Sequence, residues 1–240
     1  MTRGIGVVVD GSHLPEWLIA LAGVVTQLGD LWFVLAIATV VVLMGTRQNR
    51  VTRTPIEDSA FLLALGLGAY ALTVILKAAF ALPRPPGATS AVIPVWVPPP
   101  TAGFYESLVT ASGFGFPSGH ALKSTAVYGG AALLFGDVAR RRIRILAATT
   151  IVGLIGCSRI ILGVHYTVDV LVGTVCGVLF LWAMWTTTRR SPRRALGVTA
   201  GLGVVATIVT LDSNAVLIVG GAAIALVAWR YWRSHHGTHG

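Results

Sequence analysis

Charge is what this sequence has least of. Asp, Glu, Lys and Arg make up 11% of its 240 residues, against roughly 25% in a soluble domain. Carboxylates are the scarcer sign, 9 against 18 Lys and Arg. Cysteine is nearly absent: Cys157 and Cys176 both lie in apolar stretches and read as buried thiols rather than a disulfide. No cleavable signal pattern opens the chain, since Asp10, His13 and Glu16 precede the first long apolar run. What is abundant is apolar: hydrophobic residues reach 55%, with 28 glycines among the remainder. So little polar surface could not enclose a water-soluble core of this size. The sequence is that of a polytopic membrane protein.

A net charge of +9 would suggest nucleic acid in a soluble chain. Here the basic residues fall in short clusters between apolar runs, which is how topology signals are arranged, and no nucleic-acid partner is expected. About 20 apolar residues cross a bilayer, and seven candidate spans emerge. The first lies within about 17–44 but is interrupted by Gln27 and Asp30. It reads either as one tilted helix or as an interfacial helix to about Leu28 followed by a span capped by Asp30. The second reading is preferred, because a lone carboxylate at mid-bilayer is expensive. The next four run over about 59–82, 119–135, 143–162 and 167–187. Two shorter ones, about 196–211 and 216–232, flank the turn Asp212-Ser213-Asn214 and could instead form a partly inserted hairpin. The expected fold is therefore all-α: one membrane-embedded helical bundle over residues 1–240 with six to seven spans. Its chemistry is concentrated in 77–169, and 188–240 form a C-terminal helical pair and tail.

Arg47, Arg50 and Arg53 share one loop, Arg140, Arg141, Arg142 and Arg144 a second, and Arg189, Arg190, Arg193 and Arg194 a third; Arg230 and Arg233 end the last span. With seven spans these clusters share one face, which the positive-inside rule assigns to the cytoplasm. The N-terminus is then outside and the C-terminus inside. Arg3 is terminal. Lys77, Arg84, Lys123 and Arg159 sit near the outer ends of spans, where topology does not require them, and such cations are functional candidates.

Three segments meet at that outer face. In the first, Lys77 and Arg84 are seven residues apart, about two helical turns, so both can project from one side. Pro83, Pro85 and Pro86 then stop the helix. The pair suits a phosphate, with a bidentate fork from Arg and a point charge from Lys; snorkelling to headgroups is the other reading. In the second, Pro117-Ser118-Gly119-His120, Ser118 is an N-cap candidate and Gly119 admits an anion to the helix N-terminus. His120 could reach a leaving-group oxygen or be an ordinary interfacial histidine. The third runs from Ser158-Arg159 to His165 and Asp169. His165 and Asp169, four apart, can share a helix face, where the carboxylate would accept the Nδ1 proton and leave Nε2 nucleophilic. A purely structural His–Asp pair is the alternative. Of the six histidines, His13 precedes the first span and His235, His236 and His239 belong to a tail expected to be unstructured.

Together the segments read K-x6-R-P, P-S-G-H and S-R-x5-H-x3-D, complete and in order, which resembles the type-2 phosphatidic acid phosphatase superfamily, a group that also holds glucose-6-phosphatases and vanadium haloperoxidases. The resemblance covers about 77–169. It implies that Lys77, Arg84 and Arg159, with Ser118 and the Gly119 amide, hold the phosphoryl oxygens. It further implies that His165 attacks phosphorus to give a phosphohistidine, that Asp169 orients His165, and that His120 is general acid and then base. No paired-carboxylate metal site lies near these residues, so no metal or other cofactor is expected.

Embedding favours a membrane lipid substrate. The segment between Arg84 and Pro117, with Trp96, Phe104, Tyr105, Phe114 and Phe116, reads as an interfacial outer-face loop over the site or as a connector. Lys123, one turn beyond His120, could hold a second phosphate, which would favour polyprenyl diphosphates, or could snorkel. A lipid-phosphate transporter or flippase with an anion pocket, a phosphatase of soluble sugar phosphates and a vanadate-dependent haloperoxidase are the rival readings. Association into a homo-oligomer is left open.

Overall fold

Helix boundaries follow local chemistry in this chain. In the computed structural model the described residues are 14–48, 51–210 and 213–236. His13, Asp212 of the last polar turn, and His239 lie outside them. Among the described residues the regular structure is helical: α1 (Glu16–Thr26), α2 (Leu31–Gln48), α3 (Pro55–Phe80), α4 (Ala102–Val109), α5 (Gly119–Leu134), α6 (Arg141–Ile161), α7 (Thr167–Thr188), α8 (Pro192–Thr210) and α9 (Ser213–His236). Because α9 runs to His236, the helix extends into what the sequence suggested as an unstructured tail.

The central helix is α3. Pro55 at its first position and Glu57 and Asp58 in its first turn suit a helix N-terminus. At the other end Ala81 turns left-handed (φ 46°) and its N–H donates to Lys77 O at 2.9 Å, after which the prolines prevent continuation. Phe61, Leu62, Leu65 and Ala69 of α3 form the main core with Leu122 and Ala126 of α5, Phe180 and Met184 of α7 and Leu196 of α8. Small residues let these helices approach closely. A Cβ at Gly68 would come within 2.8 Å of Phe180 Cζ, and one at Gly177 within 2.6 Å of Leu122 O. At the α7–α8 end of the bundle Asp58 accepts hydrogen bonds from Thr52 Oγ1, from Thr54 Oγ1 at 3.1 Å and from Arg190 Nη2 at 3.0 Å, tying the turn after α7 to the start of α3.

Four helices (α3, α6, α7 and α8) are long and apolar enough to cross a membrane, and five spans result if α1 and α2 count as one bent pair. That pair bends by 55°, with a 3-10 turn over Gln27–Gly29 and the break at Asp30, where the sequence placed its interruption. The thiols depart from expectation: Cys157 is exposed and Cys176 only half-buried. An apolar stretch in a membrane helix has a lipid-facing side, so apolar neighbours in sequence do not bury a side chain inside the protein.

Because the helices alternate in direction, one end of the bundle gathers the C-terminus of α3, the N-terminus of α5, the C-terminus of α6, the N-terminus of α7 and the α1–α2 break. The 81–118 segment closes over this end. It carries a 3-10 turn at Pro99–Thr101 and the helix α4, more order than a bare loop. Val97, Tyr105 and Val109 pack on Ile19 and Ala20 of α1, and Trp96 Nε1 donates to Glu16 Oε2 at 3.0 Å. Trp96, Phe104 and Phe114 are exposed, as anchors in a headgroup layer would be. Tyr105 is not an anchor but a core residue, edge-on to Trp96, and Phe116 stacks edge-on with Phe80 at 5.0 Å.

Candidate active site

A cavity of about 330 Å³ opens where those helix ends converge. Its wall includes Lys77, Arg84, Gly119, His120, Lys123, Arg159 and His165, together with Asp30, Tyr70 and Thr73. Ser107, Leu108, Thr110, Ala111 and Ser112 of the 81–118 segment form its remaining side. Residues as distant in sequence as Asp30 and His165 thus share one chamber, and the 81–118 segment helps to enclose it.

His165 is the best-held side chain in it. The ring is 1% exposed and sits in the turn between α6 and α7, not on a helix face shared with Asp169. Gly163, at φ 65°, supplies the left-handed residue of that turn. Tyr166 is extended, so α7 starts only at Thr167, and Asp169 is then a first-turn carboxylate. Asp169 Oδ2 accepts from Tyr166 N at 3.0 Å, and the same oxygen lies 3.4 Å from His165 Nδ1. One carboxylate therefore caps the helix and faces the imidazole. On the opposite side of the ring, Arg84 Nη1 lies 3.1 Å from His165 Nε2 and donates to Val164 O at 2.9 Å, while Arg84 Nε donates to Ser112 O at 3.0 Å.

Burial, followed by the charges of Arg159, Arg84 and Lys77 and by His120, pulls the pKa of His165 well below its ordinary value. The ring is neutral, with its proton on Nδ1 toward Asp169 and its lone pair on Nε2 toward Arg84, since a guanidinium can only donate. Burial also lowers the pKa of Arg84, opposed by the charge of Asp169, but a guanidinium keeps its proton at any physiological pH.

Lys77 and Arg84 both reach the cavity, although not as two turns of one helix. Lys77 lies in the last turn of α3 and Arg84 beyond its end, in the proline-rich extended stretch. Arg159, 4% exposed in the last turn of α6, donates from Nη1 to Thr26 Oγ1 at 2.8 Å and leaves its buried Nε without a partner. Ser118 stands at the N-cap position of α5, but its side chain makes no cap bond. Its N–H donates to Asp169 O at 2.9 Å, and its fully buried Oγ, unpartnered, is not part of the cavity wall. Gly119 does line the cavity, yet its missing Cβ is demanded by packing: a methyl there would meet Thr73 Cγ2 at 2.6 Å.

The residue that motif reasoning passed over is Asp30. Its Oδ1 lies 2.9 Å from His120 Nε2 and 3.8 Å from Lys123 Nζ. Lys123 is itself buried, with Nζ 5.6 Å above the Tyr70 ring. The signal was present as a carboxylate interrupting an apolar run. Among the described residues no three His, Cys, Asp or Glu side chains cluster as metal ligands. The chamber thus offers four cations against Asp30, with Asp169 behind His165: a charge balance made for a multiply charged anion beside a neutral, desolvated imidazole.

The model of the PAP2 superfamily matches residues 59–193. Phosphatidylglycerophosphatase B of Bacillus subtilis (strain 168) is 37% identical over 84 residues, which are 32% of this chain and 41% of that protein. The chain thus aligns with less than half the length of that curated relative. Its fold is similar to the crystal structure of a transmembrane PAP2-type phosphatidylglycerolphosphate phosphatase from Bacillus subtilis, with a TM-score of 0.54 at 25% identity, covering 71% of this chain and 76% of that one.

Proposed function

The chain belongs to the PAP2 superfamily, and we propose that it is a single-domain membrane phosphatase that removes the terminal phosphate of a lipid without a metal ion. The observation that carries this reading is the placement of His165, buried between Asp169 and Arg84 with Nε2 in a cation-lined cavity. Phosphoryl transfer needs positioning and charge stabilisation above all.

The phosphate enters among Lys77, Arg84 and Arg159, and Arg84 turns its Nη1 from His165 to a phosphoryl oxygen. The Nε2 lone pair forms the N–P bond as the P–O bond to the lipid alcohol breaks, and His120 delivers a proton to that oxygen. A water then attacks phosphorus while His120 takes its proton. The N–P bond breaks, inorganic phosphate leaves, and His165 regains its lone pair. Asp169 keeps the Nδ1 proton in place throughout and offsets the positive charge that the ring gains on forming the phosphohistidine. Ser118, outside the cavity wall, supports the cradle through its backbone bond to Asp169.

Phosphatidylglycerol phosphate is the first substrate to test, because both relatives carry that activity in their names. Phosphatidic acid and polyprenyl diphosphates complete the panel. The bundle is read as six to seven spans with α1 at the interface, the cavity on the non-cytoplasmic side and the C-terminus in the cytoplasm, on the strength of the loop arginines. Purified protein in detergent, assayed with a chelator present, releases phosphate from one of these lipids, and His165→Ala abolishes the release. Transport that survives His165→Ala, with no hydrolysis by the parent, would replace the enzyme by a carrier.

A further inference from the structure

The broken helix pair α1–α2 lines the cavity through Thr26, Gln27 and Asp30. Its break delivers one carboxylate to His120, and several contacts hold the break in place. Tyr128, on the same helix as His120, donates its hydroxyl to Leu28 O at 2.8 Å. Arg159 Nη1 is bonded to Thr26 Oγ1 at 2.8 Å, and Asp30 N–H closes the 3-10 turn on Gln27 O at 3.0 Å. The turn presses on the imidazole: a Cβ at Gly29 would lie 3.0 Å from His120 Cδ2 and 3.0 Å from Ile155 Cγ2. A side chain there would have to push the imidazole or Ile155 aside by a few tenths of an ångström. Asp30 is thereby fixed 2.9 Å from His120 Nε2 and 3.8 Å from Lys123 Nζ.

From this geometry we infer that Asp30 is a positioning residue for His120, holding its Nε2–H so that the proton exchanged with substrate is carried on Nδ1. A carboxylate can only accept, so the pair selects the Nε2-protonated forms of the ring, neutral or imidazolium. His120 Nδ1 makes no hydrogen bond among the described residues and is the nitrogen left for a leaving-group oxygen. The site thus contains two His–carboxylate pairs on separate elements, Asp169 behind one ring and Asp30 behind the other. The inference rests on the proposed roles of His165 and His120, and it adds α1–α2, which lie outside the family match at 59–193, to the working machinery.

The test exploits leaving-group chemistry. An alkoxide must be protonated as it departs, whereas p-nitrophenolate leaves without help. Asp30→Asn should lower kcat/KM for a short-chain phosphatidic acid about 10- to 100-fold more than for p-nitrophenyl phosphate. The Asp30→Asn/His120→Asn double variant should be no slower than His120→Asn alone, because the two residues act as a unit. Equal losses on both substrates, an unchanged Asp30→Asn enzyme, or additive losses in the double variant would overturn the assignment. If Asp30→Asn does not fold, ¹⁵N-histidine NMR of the unaltered protein decides: His120 carries a proton on Nε2 if the assignment holds, and a tautomer protonated on Nδ1 alone refutes it. His165→Ala separates the two layers of reading. If it keeps phosphate release, the phosphohistidine mechanism fails; if it is dead while Asp30→Asn matches the parent, only the role of Asp30 fails.

Discussion

Arg84 Nη1 stands 3.1 Å from His165 Nε2, on the lone pair with which the histidine would attack phosphorus. The same guanidinium bridges Val164 O and Ser112 O, so it joins the α6–α7 turn to the 81–118 segment across the cavity mouth. Arg84 therefore both bridges the cavity mouth and contacts the ring nitrogen of His165 that faces the cavity.

Replacing this arginine by lysine preserves charge but not the fork. Arg84→Lys is expected to lower kcat/KM about 100-fold, in the range for removal of one transition-state donor. Steady-state phosphate release measures it, and a loss under about threefold would show that charge alone suffices.

Acid should act on stability through His165. Burial and the surrounding cations depress its pKa in the folded state, while the unfolded chain binds the proton at about 6.5. The unfolded state thus binds more protons below that value. Stability is unaffected by this group above about pH 6.5 and declines as pH falls from there toward the folded pKa. The thermal midpoint of detergent-purified protein, followed from pH 7.5 to 4.5, should fall more steeply than that of His165→Ala. Parallel curves would remove His165 from the acid response. Because the folded ring stays neutral, the acid limb of kcat/KM should not be centred on 6.5.

Substitution of Lys123 tests the choice between monophosphate and diphosphate substrates. Its ammonium lines the cavity but is engaged by Asp30 and the Tyr70 ring. If it holds a second phosphate, Lys123→Ala should cost at least about tenfold more on a polyprenyl diphosphate than on phosphatidic acid. Equal losses would assign Lys123 to the Asp30–His120 arrangement alone.

Orientation can be read by labelling. In a background with Cys157 and Cys176 replaced by alanine, Thr101→Cys in the 81–118 segment should react with a membrane-impermeant maleimide in intact cells. Asp137→Cys, between α5 and α6, should react only after permeabilisation. The reverse pattern would place the cavity on the cytoplasmic side.

Much of the site was legible because its chemistry uses rare residues. In a chain with 11% charge, Lys77, Arg84, Arg159 and Asp169 had no topological reason to be where they are. The start of α5 was legible at Ser118, whereas α3 and α8 begin at Pro55 and Pro192, four residues before the spans read at 59 and 196. Less visible were features that depend on which way a short turn runs. The start of α7 at Thr167 moves His165 off the helix, and the end of α3 at Phe80 moves Arg84 off it too. Cys157 faces outward because one side of a membrane helix must meet lipid, and hydropathy does not say which.

Local order in the chain determined the membrane class, the motif residues and the interruption at Asp30, since apolar runs, proline stops and misplaced charges are properties of short stretches. The packing of distant helices decided what Asp30 is for. A carboxylate in an apolar run needs a partner, and the bend between α1 and α2, with the close approach of Gly29, brings it to His120, 90 residues away. Sequence shows that such a charge must be compensated; the partner is chosen where the helices cross, because Coulomb attraction and hydrogen bonding act over ångströms in space and are indifferent to distance along the chain.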